Sequence, residues 1–429
     1  MRIYSTPPIP SQDKTLKVVW KVSTGTADKT KKPADLTYGE DSWGSLQEAL
    51  IEAAKYPLTK IDIVIDEGVL EEDVEVGFLN LSHVTLKPKR EYKPEPIVDK
   101  ATLVADAPSI IKGKFNLYEC ALPKIEGVLF NSNNKEVTIS RCTSIHSQDL
   151  LVYSDFDPAT PTDLYALNIR SSAILVGRMH VFAQKGLKIF DGAWVSVSNL
   201  LKIECKPDTV PDNYNSDVAI NVASSSLFNV VCSSKLIYNG HILISESSSV
   251  VWTADIDDNV VEINSKDLTG TEVYGVIVEN NSVFDATYPS FAVVIKNCTR
   301  PIVVRNNSNF TGFKIIAERN EGGPAFETLA DISGNSSFNA LDDLRSWYHI
   351  PTNMVRAKRS YVFLDSFRYL DITQEGEIIT NFIAEKGSVI ITPQEPDLRR
   401  ISENTTIITI FSPPFGTIDH FNNEIDNDI

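Results

Sequence analysis

Short alternations of apolar and polar residues recur through the middle of the chain in a fixed frame. With Ile139, Ile169, Ile189, Val222, Ile244, Val278, Val304 and Ile332 as anchors, the frame repeats eight times at intervals of 20 to 34 residues. Two residues before each anchor the side chain is apolar: Val137, Leu167, Leu187, Ile220, Ile242, Val276, Ile302 and Ala330. Three after it stands a small or turn-forming residue (Cys142, Ser172, Gly192, Ser225, Ser247, Asn281, Asn307, Asn335), and four after it always Thr, Ala or Ser. Six after it the side chain is again apolar: Ile145, Leu175, Val195, Phe228, Val250, Phe284, Phe310 and Phe338.

Side chains alternate across a strand, so the anchor and the residue two before it share one face of a strand, and the residues four and six after it share a face of a second. The residues between tolerate left-handed backbone, which predicts a sharp corner that keeps both apolar faces inward. A spacing averaging about 28 residues is that of one solenoid coil. The Leu-x-x-Leu-x-Leu run of leucine-rich repeats is missing, and a propeller blade needs about 40 residues. The remaining architecture is all-β, a single-stranded parallel β-helix. Val278 to Phe284, Val304 to Phe310 and Ile332 to Phe338 predict asparagines stacked from coil to coil as a buried amide ladder.

Ahead of the repeats, Ser45 and Glu48 form a capping box, and Leu46, Ala49, Leu50, Ala53 and Ala54 make a helical stripe, which predicts a short helix capping the first coil. The order of this helix, the Ile61 to Ile65 strand, the Gly68 turn and the Val84 to Leu86 strand resembles the opening of pectate-lyase-like β-helix proteins of phage tail spikes and fibres. That resemblance implies a right-handed parallel β-helix over 41–345, in a protein of the virion tail that attaches to other tail proteins and meets a host surface glycan. Residues 1–40, rich in Pro, Lys and Thr, read as an extended attachment arm with one strand near Leu16 to Val22. Beyond 345 the Asn and Ser columns fade. There Ser360 to Leu364, Gly376 to Thr380, Ser388 to Thr392 and Thr406 to Ile410 predict a smaller C-terminal β domain over 346–429. Lateral apolar surface and open edge strands predict symmetric association, as a homotrimer.

Composition narrows the function. Lys+Arg 40 against Asp+Glu 57 leaves a net charge of −17, a field that repels a phosphate backbone, so no nucleic-acid partner is expected. No run approaches the ~18 apolar residues of a membrane span. Met1 to Lys14 lacks the apolar centre of a signal peptide, so the expected product is made in the host cytoplasm without membrane insertion. The five cysteines (Cys120, Cys142, Cys205, Cys232, Cys298) are too far apart for C-x-x-C sites and read as small buried thiols. Asp255, Asp257 and Asn259 match the first half of a calcium loop, but Val260 and Lys266 stand where that loop needs Gly and Glu, and a turn is the reading. Neither a metal nor an organic cofactor is expected.

A glycosidase needs two carboxylates about 5 to 9 Å apart, one of them with a raised pKa. Glu246 and Glu279 fall near one corner on neighbouring coils and are the candidate pair. Arg170 and Arg305 share these columns, and such a mixture is the alternating charge of a solvated ladder. The longer intervals carry two insertions, Gln148 to Tyr165 and Glu204 to Ser216. There Tyr153, Asp155, Asp157 and Tyr165, with Asp212 and Tyr214, combine aromatic faces and carboxylates suited to a sugar. Coils this short leave little room for the loops that build a deep catalytic groove. The expectation leans to a non-catalytic structural or receptor-binding tail component, with a polysaccharide depolymerase as the alternative.

Overall fold

The recurring frame becomes a coil with three sides. Tyr274–Glu279 forms the first face, Val283–Ala286 the second and Ala292–Lys296 the third, after which Arg300–Arg305 opens the next coil. The computed structural model describes residues 17–25, 30–33, 42–94, 99–133, 135–154, 164–205, 218–231, 234–253, 260–265, 272–289, 291–319, 326, 328–347, 353–365, 367–370, 381–385, 388–392, 397–401, 406–410 and 418–421. These residues are mostly β and form long parallel sheets stacked as a β-helix-like solenoid. Every anchor is a register partner of the next, from Ile139 opposite Ile169 through Val304 opposite Ile332. Inside, Phe310 stacks between Phe284 and Phe338 with centroids 4.6 and 5.5 Å away, and the edge of Trp252 meets Phe284 at 5.0 Å.

The corners come in two lengths, and that corrects part of the predicted frame. Ser224 and Ser225, Glu246 and Ser247, Asn280 and Asn281, and Asn306 and Asn307 are pairs of consecutive left-handed residues, with φ between 54° and 64°. Corners with a single left-handed residue occur at Glu119, Arg141, Ser171 and Arg359. One residue fewer moves the inward position from six to five after the anchor. Ile174 is therefore buried where Leu175 was expected, and Ile145 is 66% exposed.

The buried ladder at this corner is made of serine, not asparagine. Ser226, Ser248, Ser282, Ser308 and Ser336 are buried, and each hydroxyl oxygen accepts the backbone N–H of the matching residue one coil earlier, at 3.1 to 3.2 Å. The asparagines expected inside are exposed, with amide contacts of 3.0 Å from Asn306 to Asn280 and 3.3 Å from Asn307 to Asn281. Their role is conformational, because Asn is the residue after Gly that best tolerates left-handed backbone.

At the N-terminal end, helix α1 (Leu46–Ala53) buries Leu46, Ala49, Leu50 and Ala53 in the main core. Ser45 caps it by accepting from Glu48 N–H, but the carboxylate that completes the cap is Glu72 of the first coil, which accepts from Leu46 N–H at 2.8 Å and from Ser45 Oγ at 2.5 Å. Glu48 instead pairs with Lys32 at 2.8 Å. The arm expected over 1–40 is not separate along its whole length: Lys17–Val22 pairs in register with Lys60–Ile65, and Trp20 and Val22 are buried. Nor does the pairing stop at 346. Asn353–Lys358 continues the first face in parallel, and Tyr361–Leu364, Val389–Thr392 and Thr406–Ile410 continue the second, before Ile418–Phe421 pairs antiparallel. Among the described residues, parallel pairing therefore runs across the expected boundary of the C-terminal domain. The strand expected at Gly376 to Thr380 lies outside the described residues.

Helix α2 (Lys100–Asp106), which the sequence pattern did not signal, leaves the coil after Pro88 and returns at Ser109. It covers an outward cluster on the third face with Leu103 against Ile110, Leu129, Leu151, Tyr153 and Phe182.

Candidate functional site

The corner carboxylates are bonded in opposite directions along the solenoid. Glu246 is a left-handed corner residue, exposed, and its carboxylate accepts from Ser224 Oγ at 2.6 Å on the preceding coil. Glu279 ends a first-face strand and is buried against Arg305 of the following coil, with Nε at 2.7 Å and Nη2 at 2.6 Å. The register partner of Glu279 is Arg305 itself, so strand pairing holds the ion pair together.

Of the residues expected to meet a sugar, Tyr153 and Tyr165 are described, whereas Asp155, Asp157, Asp212 and Tyr214 lie outside the described residues. The two insertions leave from one corner on coils two apart. Tyr153 stands opposite Phe182, and the residue after Phe182, Ala183, stands opposite Cys205. The tyrosines themselves part company. Tyr153 is buried beneath α2, with the Lys100 ammonium 5.3 Å from its ring centre. Tyr165 is half-buried on the outer first face, where its hydroxyl accepts from Asn221 Nδ2 at 3.1 Å and Lys188 lies 5.7 Å over its ring.

A cavity of about 320 Å³ lies where the chain leaves the coil toward α2. Arg178 and Asp149 line it from the coil, and Lys89, Glu91, Tyr92 and Lys93 line it from the excursion. A bulge builds the inner wall: the register slips between Val176 and Arg178, which brings Arg178 opposite Asp149. Gly177 fits there because a Cβ would stand 2.7 Å from Ser147 Oγ. Arg178 then grips Asp149 with Nε at 2.9 Å and Nη2 at 2.5 Å, and Gly127 N–H adds a third bond to Asp149 at 2.9 Å. Tyr92 donates its hydroxyl to Leu103 O at 3.0 Å, and burial, aided by Asp106, pushes its pKa up to about 12. The Glu91 and Glu126 carboxylates are paired with Lys93 at 2.6 Å and Lys124 at 2.5 Å. The lining is therefore a set of matched donors and acceptors around one aromatic ring, suited to holding hydroxyls. The signal for it in the sequence was Gly177 inside an apolar strand, a bulge mark.

No family model, curated protein or solved structure matches this chain. Among the described residues no three His, Cys, Asp or Glu side chains are grouped to hold a metal, and no helix is long and apolar enough to cross a membrane. The acidic loop at Asp255 to Asn259 lies outside the described residues.

Proposed function

We propose that the chain is a non-catalytic structural or receptor-binding part of a bacteriophage tail, a homotrimeric fibre or spike that recognises a cell-surface polysaccharide. The observation that carries this reading is that four carboxylates at the two candidate places are held in ion pairs: Glu279 with Arg305, Asp149 with Arg178, Glu91 with Lys93 and Glu126 with Lys124. A glycosidase or lyase needs an acid or base free to exchange a proton with substrate, whereas paired carboxylates serve binding. The cavity beside Tyr92 falls at the lower end of the ~300–1,000 Å³ range of small-ligand pockets, enough for one or two sugar rings. Right-handed winding belongs to the same reading, since parallel crossovers are right-handed in about 98% of cases. Attachment to the virion is assigned to residues 1–16, which precede the Lys17–Val22 strand.

The test is one sample measured twice, for binding to capsular or O-antigen polysaccharide and for release of new reducing ends. Binding without release is expected; release would make the chain a depolymerase. Light scattering that returned the 47.6 kDa of one chain would remove the trimer. A protein lacking residues 1–16 should stay folded and fail to enter particles, whereas normal incorporation would place attachment elsewhere.

A further inference from the structure

The serine column of the corner begins with two thiols. Cys120 and Cys142 each follow a single left-handed residue, Glu119 and Arg141, both at φ 52°. They stand on consecutive coils in one register: Ala121 and Thr143 form a parallel bridge, Leu122 N–H donates to Thr143 O at 2.8 Å, and Thr143 N–H donates to Cys120 O at 3.0 Å. Adjacent in-register strands lie about 4.8 Å apart, within the ~4.4–6.8 Å Cα separation that a disulfide spans. Both side chains are buried, and the two thiols bond in the same way, Cys120 Sγ to Tyr118 O at 3.1 Å and Cys142 Sγ to Ser140 O at 3.2 Å. In the next coil the position is Ser172, whose hydroxyl accepts Cys142 N–H at 2.9 Å, so the column turns from sulfur to oxygen at that point.

We propose that Cys120 and Cys142 are a modification site, closing to a reversible cross-coil disulfide by exchange with a low-molecular-weight disulfide such as oxidised glutathione. The Cys120 thiolate attacks one sulfur of the reagent, forming a mixed disulfide and expelling one glutathione thiolate. Cys142 then loses its proton and attacks the Cys120 sulfur, expelling the second glutathione. Two protein thiols are oxidised, and one disulfide is reduced to two thiols. The first attack is assigned to Cys120, whose thiol the neighbouring Cys142 holds below its ordinary range. Both thiols belong to the main core, so access requires the corner to open, and its outer residues, immediately before each cysteine, are held by the ion pair of Arg141 with Glu119 at 2.8 Å. Side chains in one column of a parallel sheet run side by side rather than toward each other. The bridge must therefore turn the two side chains toward each other off their ordinary directions, and a bond under such strain is readily reduced again.

The experiment uses the full-length protein, incubated with oxidised glutathione and then digested without reductant. The expected result is one linked pair of peptides, carrying Cys120 and Cys142, with two of the five thiols lost and both restored by dithiothreitol. Cys142→Ser should stop at a stable glutathione adduct on Cys120. Should that variant fail to fold, the wild-type peptide map decides alone. Retention of both thiols under conditions that oxidise the same protein in urea, or linkage of either cysteine to Cys205, Cys232 or Cys298, would overturn the assignment.

Discussion

Serine and asparagine sit side by side at each corner, and substituting them one at a time separates burial from backbone conformation. In Ser308→Ala the lost oxygen is the acceptor for Ser282 N–H at 3.2 Å, in a position that is 2% exposed. That leaves a backbone donor without a partner between two coils, which costs about 1–3 kcal/mol. Asn307 is exposed at φ 60°, and its amide reaches Asn281 at 3.3 Å. Asn307→Ala forces an alanine into left-handed backbone at about 1–2 kcal/mol. Asn307→Gly removes the same amide but keeps the conformation, so it should cost at most about 0.5–1 kcal/mol, through the freedom gained by the unfolded chain. Urea unfolding monitored by far-ultraviolet circular dichroism measures all three, provided the slopes stay equal so that midpoints report stability. The expected order of loss is Ser308→Ala at or above Asn307→Ala, and both above Asn307→Gly. If Asn307→Gly were as costly as Ser308→Ala, the amide ladder would be carrying energy, and the assignment of burial to serine would be refuted.

Phe310→Ala opens the interior stack between Phe284 and Phe338 and should cost about 3–5 kcal/mol, with Phe310→Leu recovering much of it, as read from denaturant midpoints. Gly275→Ala would place a Cβ 2.5 Å from Pro301 O of the next coil and should abolish soluble expression or lower the melting midpoint sharply; Gly192→Ala, at φ 72° with nothing within 4 Å, should cost only about 1 kcal/mol. His180 is buried on the third face with neither ring nitrogen bonded, and burial lowers its pKa to about 4. Its folded pKa is thus below the unfolded value near 6.5, so its contribution is complete above about pH 6.5 and is lost as pH falls toward 4, by no more than about 3 kcal/mol. The stability difference between wild type and His180→Leu should shift by that amount across this window, and parallel curves would place the imidazole in water.

What could be read from the sequence follows from which columns the physics fixes. The anchors were legible because an inward side chain on the first face must be apolar in every coil, and Ile139 through Ile332 pair with one another as that requires. The helix at Leu46 was legible from its stripe, but not its true cap: Glu72 is 26 residues away from Leu46, and only the fold brings its carboxylate to the helix start. The strand at Lys17–Val22 was visible, yet its place in the core was not, because Trp20 is buried by the ring of Trp43 at 5.4 Å and by Tyr56, which sequence distance hides. Asn307 was read as interior because amides that repeat look like a ladder. An exposed left-handed corner selects the same residue for a different reason.

The C-terminal coils show the same confusion from the other side. Past 346 the asparagine column fades, and a frame keyed to it ends there. The burial requirement does not end: Ser360 and Ser388 are buried, Tyr361 N–H donates to Ser336 O at 2.9 Å, and Val389 N–H donates to Ser360 O at 2.9 Å. Arg359 alone is left-handed at this corner, at φ 49°, so Ser360 falls three residues after the first-face position held by Ala357, not four, and Val362 takes the inward place at five. The same shortening at Arg141 and Ser171 put Ile145 and Leu175 on the wrong face of the expected strand. A solenoid corner is therefore better followed by the buried serine and the apolar residue two beyond it than by a fixed count from the anchor. That pair keeps one spacing whether the corner holds one left-handed residue or two. Traced this way, the repeat passes through Ser360 with Val362 and Ser388 with Ile390, and the strands Asn353–Lys358, Tyr361–Leu364 and Val389–Thr392 pair in parallel with the coils before them.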